Sequence, residues 1–321
     1  MAIIDATLEL DPALEQDNHQ SASRKEAMIS PDSVLGEDGR TYHGLSEGTY
    51  FLPNDAREQS RLDLQHEQCK LILEGKPGLA PIDSPEHVID VATGTGIWAL
   101  DFAHQYPNSK VIGSDLNLIQ RSSSAENATF VQQDAEKEDW GFQQKFDYVH
   151  IRFIVSCFND TKTVLNKAFE HTKPGGWIEI MDFVTQHEYF DDGARAPALE
   201  KWVELSIKAA ANIGRDFLKA PKYKGWLEEV GFVDVVDKRF KSPGNTWPKD
   251  PHMKQIGAYQ LQSLVGTLNS LGGFIKAAGI SKAEADKLLP EAIEEMKNTN
   301  VHLYWPIHIV YGRKPLNGEK L

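Results

Sequence analysis

One segment constrains this chain more than any other: VIDVATGTGIWALDF, residues 88–102. His87 to Val91 reads as a short buried strand, and Ile97 to His104 as a helix. Only Ala92 to Gly96 lies between them, so the chain must reverse from strand into helix within a few residues. Gly94 and Gly96 permit the backbone dihedrals of such a turn and let a ligand approach the main chain without a Cβ in the way. The first N–H groups of the helix have no intrahelical partner and face that ligand. A turn of this kind predicts an α/β fold with a parallel sheet and a site at the sheet's carboxyl edge.

The flanking segments extend the pattern. Lys110–Ser114, Thr129–Gln132, Phe146–Phe153 and Trp177–Phe183 read as strands. A helix over Thr161–His171 and a Lys173-Pro174-Gly175-Gly176 turn precede the last of these. Strands alternating with helices put helices on both faces of the sheet. Upstream, Leu62, Cys69 and Leu73 recur at helical spacing with His66 on the same stripe, predicting a helix over about residues 55–74. Downstream, Pro197–Ile213 and Lys222–Val230 read as helices and Phe232–Phe240 as a strand. Leu261, Leu264, Leu268 and Leu271 share one helical stripe, and Ser281 with Glu284 forms a capping box ahead of Ala285, Leu289, Ala292 and Met296. Residues 250–297 therefore interrupt the sheet before a last strand, Val301–Tyr311. The expected organisation is a mobile tail over 1–40, an N-terminal helical lid over 41–80 and a ligand-binding core over 81–249. A helical insertion over 250–300 and a final core strand with its tail over 301–321 complete it.

The glycine turn alone does not choose a ligand. Gly94 to Ala99 also satisfies the dinucleotide fingerprint G-x-G-x-x-A, with Asp115 near the distance of a ribose-binding acid, so a nicotinamide enzyme is a rival. Charge separates the two. A dinucleotide would bring two phosphate charges against nearby carboxylates, at an electrostatic cost. S-adenosylmethionine has no phosphate and carries a sulfonium, an ammonium and one carboxylate. Asp90, Asp115 and Asp134 end successive strands and wall one crevice, which favours the sulfonium cofactor. Asp90 is expected near its amino-acid part, Asp115 on the ribose hydroxyls and Asp134 on the adenine amino group. The competing role for each acid is a helix N-cap or loop end.

Composition excludes several other classes. The formal charge of -13 disfavours non-specific binding to nucleic acid. No apolar run reaches the ~20 residues of a membrane helix, and the first residues lack the basic and apolar regions of a secretory signal. Two cysteines, Cys69 and Cys157, are too few for a disulfide framework or a cysteine-rich zinc site. No metal is expected, since no histidine pair has helical ligand spacing. These features point to the cytoplasm, with the nucleus as the other compartment.

The order of motifs resembles class I S-adenosylmethionine-dependent methyltransferases: VIDVATGTG, the acid of VIGSDL, QQDAEK, FDYVHIRF and KPGGWIEI. More narrowly the chain is similar to the fungal LaeA-like (UMTA) methyltransferases, through YFLPNDAREQSRLDLQH, WLEEVGFVDV, Trp247-Pro248-Lys249-Asp250-Pro251 and VYGRKP, over about residues 42–315. The resemblance implies a Rossmann-like, seven-stranded, mostly parallel sheet with a reversed final hairpin, S-adenosylmethionine as cofactor, and a role in fungal secondary metabolism. The substrate it implies is a small molecule. The alternatives are a regulatory methyltransferase working with a protein partner and a fold member that no longer methylates. Cofactor contacts are expected from Asp90, Ala92, Gly94, Gly96, Asp115, Leu116, Asp134 and Ala135, with Arg61 reaching the carboxylate and Tyr50 covering the ligand. Two departures stand out: Ala92 sits where glycine is common, and residues 120–127 lack the usual proline- and tryptophan-rich loop.

Methyl transfer needs alignment more than proton chemistry, because the donor is already activated. His150 and Arg152, ending the fourth strand, are the candidates for the transfer chamber; a satisfied core histidine and a buried ion pair are the competing roles. Glu179 and Asp182 lie out of phase on one strand, so at most one faces the crevice. His187 and Tyr189 are weaker substrate candidates. Trp202, Trp226, Trp247 and Trp305 offer flat surfaces for a substrate, or simply core.

Overall fold

The computed structural model describes residues 30, 32–36, 38–44, 51–120 and 125–319. Tyr50 and residues 121–124 of the loop after the second core strand lie outside these. A hairpin of β1 (Ser33–Leu35) and β2 (Thr41–His43) precedes α1 (Ala56–Ile72). The core then runs through β3 (His87–Val91), α2 (Ile97–Gln105), β4 (Lys110–Asp115), β5 (Ala128–Gln132), β6 (Phe146–Arg152), α3 (Thr161–His171) and β7 (Thr172–Phe183). It continues with β8 (Glu188–Tyr189), α4 (Pro197–Asn212), α5 (Tyr223–Val230) and β9 (Val233–Pro243). Last come α6 (Pro251–Ser270), α7 (Lys282–Lys297) and β10 (Leu303–Arg313).

The main sheet has the order β5-β4-β3-β6-β7-β10, with β8 and β9 both paired to β10. Strands β3 to β7 pair in parallel, and β10 is antiparallel to each of its partners. The chain leaves β3 first toward β4 and later returns to its other side with β6. That reversal opens a crevice above the carboxyl ends of β3, β4 and β6. The sheet is buried on both faces, as parallel sheets require. Ile89, Val149, Ile151 and Ile178 pack against Val164, Leu165 and Ala168 of α3, while Val88 and Tyr148 pack against Trp98 and Phe102 of α2. Each such fully buried side chain contributes roughly 1.5–3 kcal/mol, which fixes the strand ends that carry the site.

A helical layer of α4, α6 and α7 covers the crevice, joined by Leu199, Trp202, Leu268, Ala292 and Met296. Helix α1 runs between this layer and the sheet. Its buried face includes Glu58, Gln59, His66 and Gln68, an unusual set for a helix held only by packing. It is held instead by polar anchors. Asp55 caps its N-terminus and pairs with Arg40 of the hairpin, which also donates to Ser270 Oγ at 3.2 Å. The chain after α1 is fastened by Glu179, whose carboxylate accepts from the amides of Leu79 (2.7 Å) and Ala80 (2.6 Å).

Most expected elements appear within a residue or two of their predicted limits. The sheet has eight strands where seven were expected, because the two-residue β8 adds to its edge. Strand β7 starts at Thr172: the expected turn is paired at both ends, with Gly175 N donating to Lys314 O and Lys314 N to Gly176 O. The β1–β2 hairpin lies partly in the segment expected as tail, where polar composition conceals three-residue strands. Among the described residues, no helix is long and apolar enough to cross a membrane.

Candidate cofactor and acceptor site

Two cavities of about 1100 Å³ each open above the carboxyl edge of the sheet. The first lies over the glycine turn. Of the residues expected to hold the cofactor, Asp90, Ala92, Gly94, Asp115, Leu116, Asp134 and Ala135 line it, and Arg152 joins them. The second lies under the helical layer, and Leu62, Gln65 and Phe153 belong to both walls.

The turn is left-handed at three points: Ala92 (φ 58°), Gly94 (φ 59°) and Gly96 (φ 76°). The two glycines do different work. A Cβ on Gly94 would point toward Leu62 Cδ1, 3.6 Å away on the same cavity wall. A Cβ on Gly96 would meet the Phe130 ring at 2.6 Å, so Gly96 serves helix-to-strand packing and does not line the cavity. Ala92 adopts a conformation that costs a non-glycine residue about 1 kcal/mol or more.

The three acids of the wall are held differently. Asp115 accepts from Gly94 N (2.8 Å) and Asn117 N (2.9 Å), bracing the turn from the next strand. Burial outweighs those two amides and pushes its pKa up to about 6. Asp90 accepts from Thr93 Oγ1 and from His150 Nδ1, the latter at 2.7 Å. Asp134 Oδ1 accepts from the amides of Glu136 and Lys137, both at 3.0 Å, so the loop-end role is real. Its Oδ2 has Lys137 Nζ at 3.6 Å but no hydrogen-bond partner, and Ser114 Oγ and Gln133 Oε1 beside the same cavity are likewise buried without one. Buried polar atoms of this kind are costly unless a ligand satisfies them. A ligand bearing donors, such as ribose hydroxyls and an exocyclic amine, fits this wall; two phosphates do not.

His150 lines neither cavity. It is 2% exposed, stacks on Trp98 with ring centroids 3.6 Å apart, and donates to Asp90. Burial holds its pKa below the ordinary histidine value. Its place is behind Asp90 rather than in a transfer chamber. Arg61 faces the second cavity and binds Glu58 Oε1 through Nε (3.0 Å) and Nη2 (2.7 Å). It is therefore not in the cofactor cavity. Glu179 and Asp182 line neither cavity: burial pushes Glu179 up to about 7, and Asp182, pushed up to about 6, accepts from Tyr223 OH at 2.7 Å. Trp202 and Trp305 line the second cavity, whereas Trp226, Trp247, His187 and Tyr189 do not.

Several site residues escaped the sequence reading. Asn54 and Pro53, just before α1, line the cofactor cavity, and Asn54 Nδ2 donates to Asn117 Oδ1 at 3.0 Å across it. Phe153 stands at the junction in a left-handed conformation (φ 54°), which is strained for a bulky residue and places the ring between the cavities. No periodicity signals such a residue. The cluster Glu86, His87 and Asp147 lies at the opposite edge of the sheet, where Asp147 accepts from the amides of residues 86 and 87 and pairs with Lys173.

A parallel sheet with a glycine turn, an acidic nucleoside wall and an adjoining second chamber defines a group-transfer enzyme using a nucleoside sulfonium donor. Residues 63–236 match the family model described as a methyltransferase domain, and the chain belongs to that family. Methyltransferase pytC of Aspergillus terreus is 33% identical over 283 residues, covering 86% of this chain and 87% of that protein. Probable methyltransferase tdiE of Emericella nidulans is 31% identical, covering 89% and 90%. Secondary metabolism regulator LAE1 of Cochliobolus heterostrophus is 31% identical, covering 87% and 94%. The protein is a methyltransferase whose cofactor is S-adenosylmethionine.

Proposed function

We propose that this enzyme methylates a small, largely apolar molecule of fungal secondary metabolism. The observation that carries this reading is the second cavity. Its wall includes Phe51, Leu199, Trp202, Phe217, Leu268 and Trp305, enough apolar surface to enclose a ring system. It meets the cofactor cavity only at Leu62, Gln65 and Phe153, so an acceptor there would be aligned with the methyl group across that junction. Among the described residues, the one ionisable side chain on its wall is Arg61, already paired with Glu58. Catalysis then rests on placement, with the nucleophile supplied in reactive form by the substrate.

Asp115 would accept from the ribose hydroxyls, Asp134 Oδ2 from the adenine amine, and Asp90 would order the amino-acid end. When bound, S-adenosylmethionine supplies the activated methyl group; the protein excludes water and fixes direction. Two unpaired cysteines support a reducing, cytoplasmic setting. The relative named secondary metabolism regulator LAE1 supports a second reading, a regulatory methyltransferase working with a protein partner.

One experiment separates the two. The purified enzyme is incubated with methyl-labelled S-adenosylmethionine and a fractionated extract of its source organism. Label in a small organic-soluble product, lost in Leu264→Trp while cofactor binding persists, is expected. Label confined to protein would overturn the small-molecule assignment.

A further inference from the structure

The cofactor carries one negative group, its carboxylate, and the cavity needs a cation to receive it. Its wall offers Asp90, Asp115, Asp134 and Glu136, and one cation, Arg152. The residue expected for this contact, Arg61, faces the other cavity and is bound to Glu58. Arg152 has no carboxylate within ion-pairing distance among the described residues. Its hydrogen-bonded partners are neutral: the buried Cys69 thiol contacts it, and Nη2 lies 3.1 Å from His66 Nδ1.

That contact defines the histidine. A guanidinium only donates, so His66 Nδ1 is the acceptor and its proton sits on Nε2. Nε2 in turn donates to Asp101 Oδ2 at 2.9 Å, and Lys70 Nζ stands 3.4 Å from the same oxygen. His66 is buried, and burial holds its pKa below the usual value, which keeps the ring neutral and able to accept. The chain Asp101–His66–Arg152 thus orients a guanidinium without neutralising it. A half-buried arginine positioned in this way, on the wall of a ligand cavity, calls for an anion from outside the protein.

We propose that Arg152 binds the carboxylate of the cofactor's methionine part, and that His66 and Asp101 are its positioning residues. This rests on the S-adenosylmethionine assignment. Arg152 lies on β6, beside β3 and its Asp90, so the ammonium and carboxylate ends meet an acid and a base on neighbouring strands. The fork of the guanidinium leaves further N–H groups for a bidentate grip while one holds His66.

Calorimetry with two ligands tests it: S-adenosylhomocysteine, and its decarboxylated analogue, which keeps the ammonium, ribose and adenine. The wild type is expected to prefer S-adenosylhomocysteine by roughly tenfold to a hundredfold, the range for a charge-assisted contact at about 1.4 kcal/mol per decade. Arg152→Met should remove that preference and leave the analogue's affinity within about twofold of wild type. Arg152→Lys, the variant to use if the Met protein does not fold, should narrow the preference. His66→Phe should narrow it as well, and His66→Gln, which restores an acceptor, should recover it. A merely structural arginine would weaken both ligands equally. Equal losses, or a preference intact in the arginine variants, would overturn the proposal; failure of the wild type to bind either ligand would overturn the cofactor assignment as well.

Discussion

On the proposed assignment of Asp115 to the ribose, this acid sets stability against cofactor affinity, and Asp115→Asn should expose the conflict. Burial raises its pKa to about 6 from an ordinary value near 3.8. For an acid shifted upward, the favourable protonated state is fully available below the unfolded pKa and is lost as pH rises through the folded one. The empty protein is thus penalised by ionisation of Asp115, with the penalty growing between about pH 4 and 6 and complete above that. The full shift corresponds to about 3 kcal/mol. Asp115 is only half-buried at the cavity mouth, so solvent screening cuts this to about 1–2 kcal/mol. Asparagine removes the charge but keeps one acceptor for the amides of Gly94 and Asn117, giving back roughly 1 kcal/mol. The variant should therefore equal or exceed wild-type stability at pH 8, and gain nothing at pH 4. Its affinity for S-adenosylhomocysteine should fall, because each hydroxyl bonded to a carboxylate contributes roughly 1.5–3 kcal/mol that a neutral amide does not match. Urea denaturation of the empty protein at both pH values, with calorimetry at pH 8, reads both effects. A variant clearly less stable than wild type at pH 8, or one binding the ligand unchanged, would refute the reasoning.

Ala92→Gly relieves a left-handed alanine at φ 58°, and after glycine's greater unfolded-state entropy it should stabilise by about 0.5–1 kcal/mol, read by thermal melting. His150→Phe keeps the stacking on Trp98 but deprives buried Asp90 of a donor. It should cost about 1–3 kcal/mol of stability and weaken cofactor binding while leaving kcat at saturating cofactor close to wild type. A collapse of kcat with unchanged KM for the cofactor would restore His150 to the transfer chamber. Glu179→Gln should stabilise above about pH 7, where the wild-type carboxylate ionises, and have no such effect at pH 5; a destabilised variant at pH 8 would show that its two amide bonds outweigh burial.

The sheet, and the gathering of Asp90, Asp115 and Asp134 on one cavity wall, were legible because each follows from local rules. A short buried strand, a glycine turn and a helix announce one another, and acids at strand ends fall on one edge whatever the loops do. The same logic misplaced His150, since pleating says which face a residue takes but not whether a neighbour such as Trp98 closes over it. Arg61 and Arg152 illustrate a second limit. Each is a cation near the crevice in sequence terms; Arg61 pairs with Glu58 one turn earlier on its own helix, and only the folded chain shows that it faces the second cavity while Arg152 lines the first. Phe153 marks a third: a strained backbone at a bulky residue is imposed by the surrounding fold and leaves no trace in composition.

Charge is divided between the two cavities, in keeping with the proposal that transfer rests on placement. Among the described residues, the acids on the two walls all lie in the first cavity, and the only ionisable side chain on the second is Arg61, bound to Glu58. A sulfonium donor held in the first cavity would be attracted to Asp90, Asp115, Asp134 and Glu136, an attraction its neutral thioether product would lack. The acidic wall therefore favours the charged donor over the spent product, and exchange of one for the other follows from the reaction itself. Moving a carboxylate across the junction, for instance with Leu264→Glu, would reverse the arrangement. It would hold cations in the acceptor chamber and desolvate a charge where the apolar ring should sit, so cofactor affinity should persist while transfer to an apolar acceptor fails.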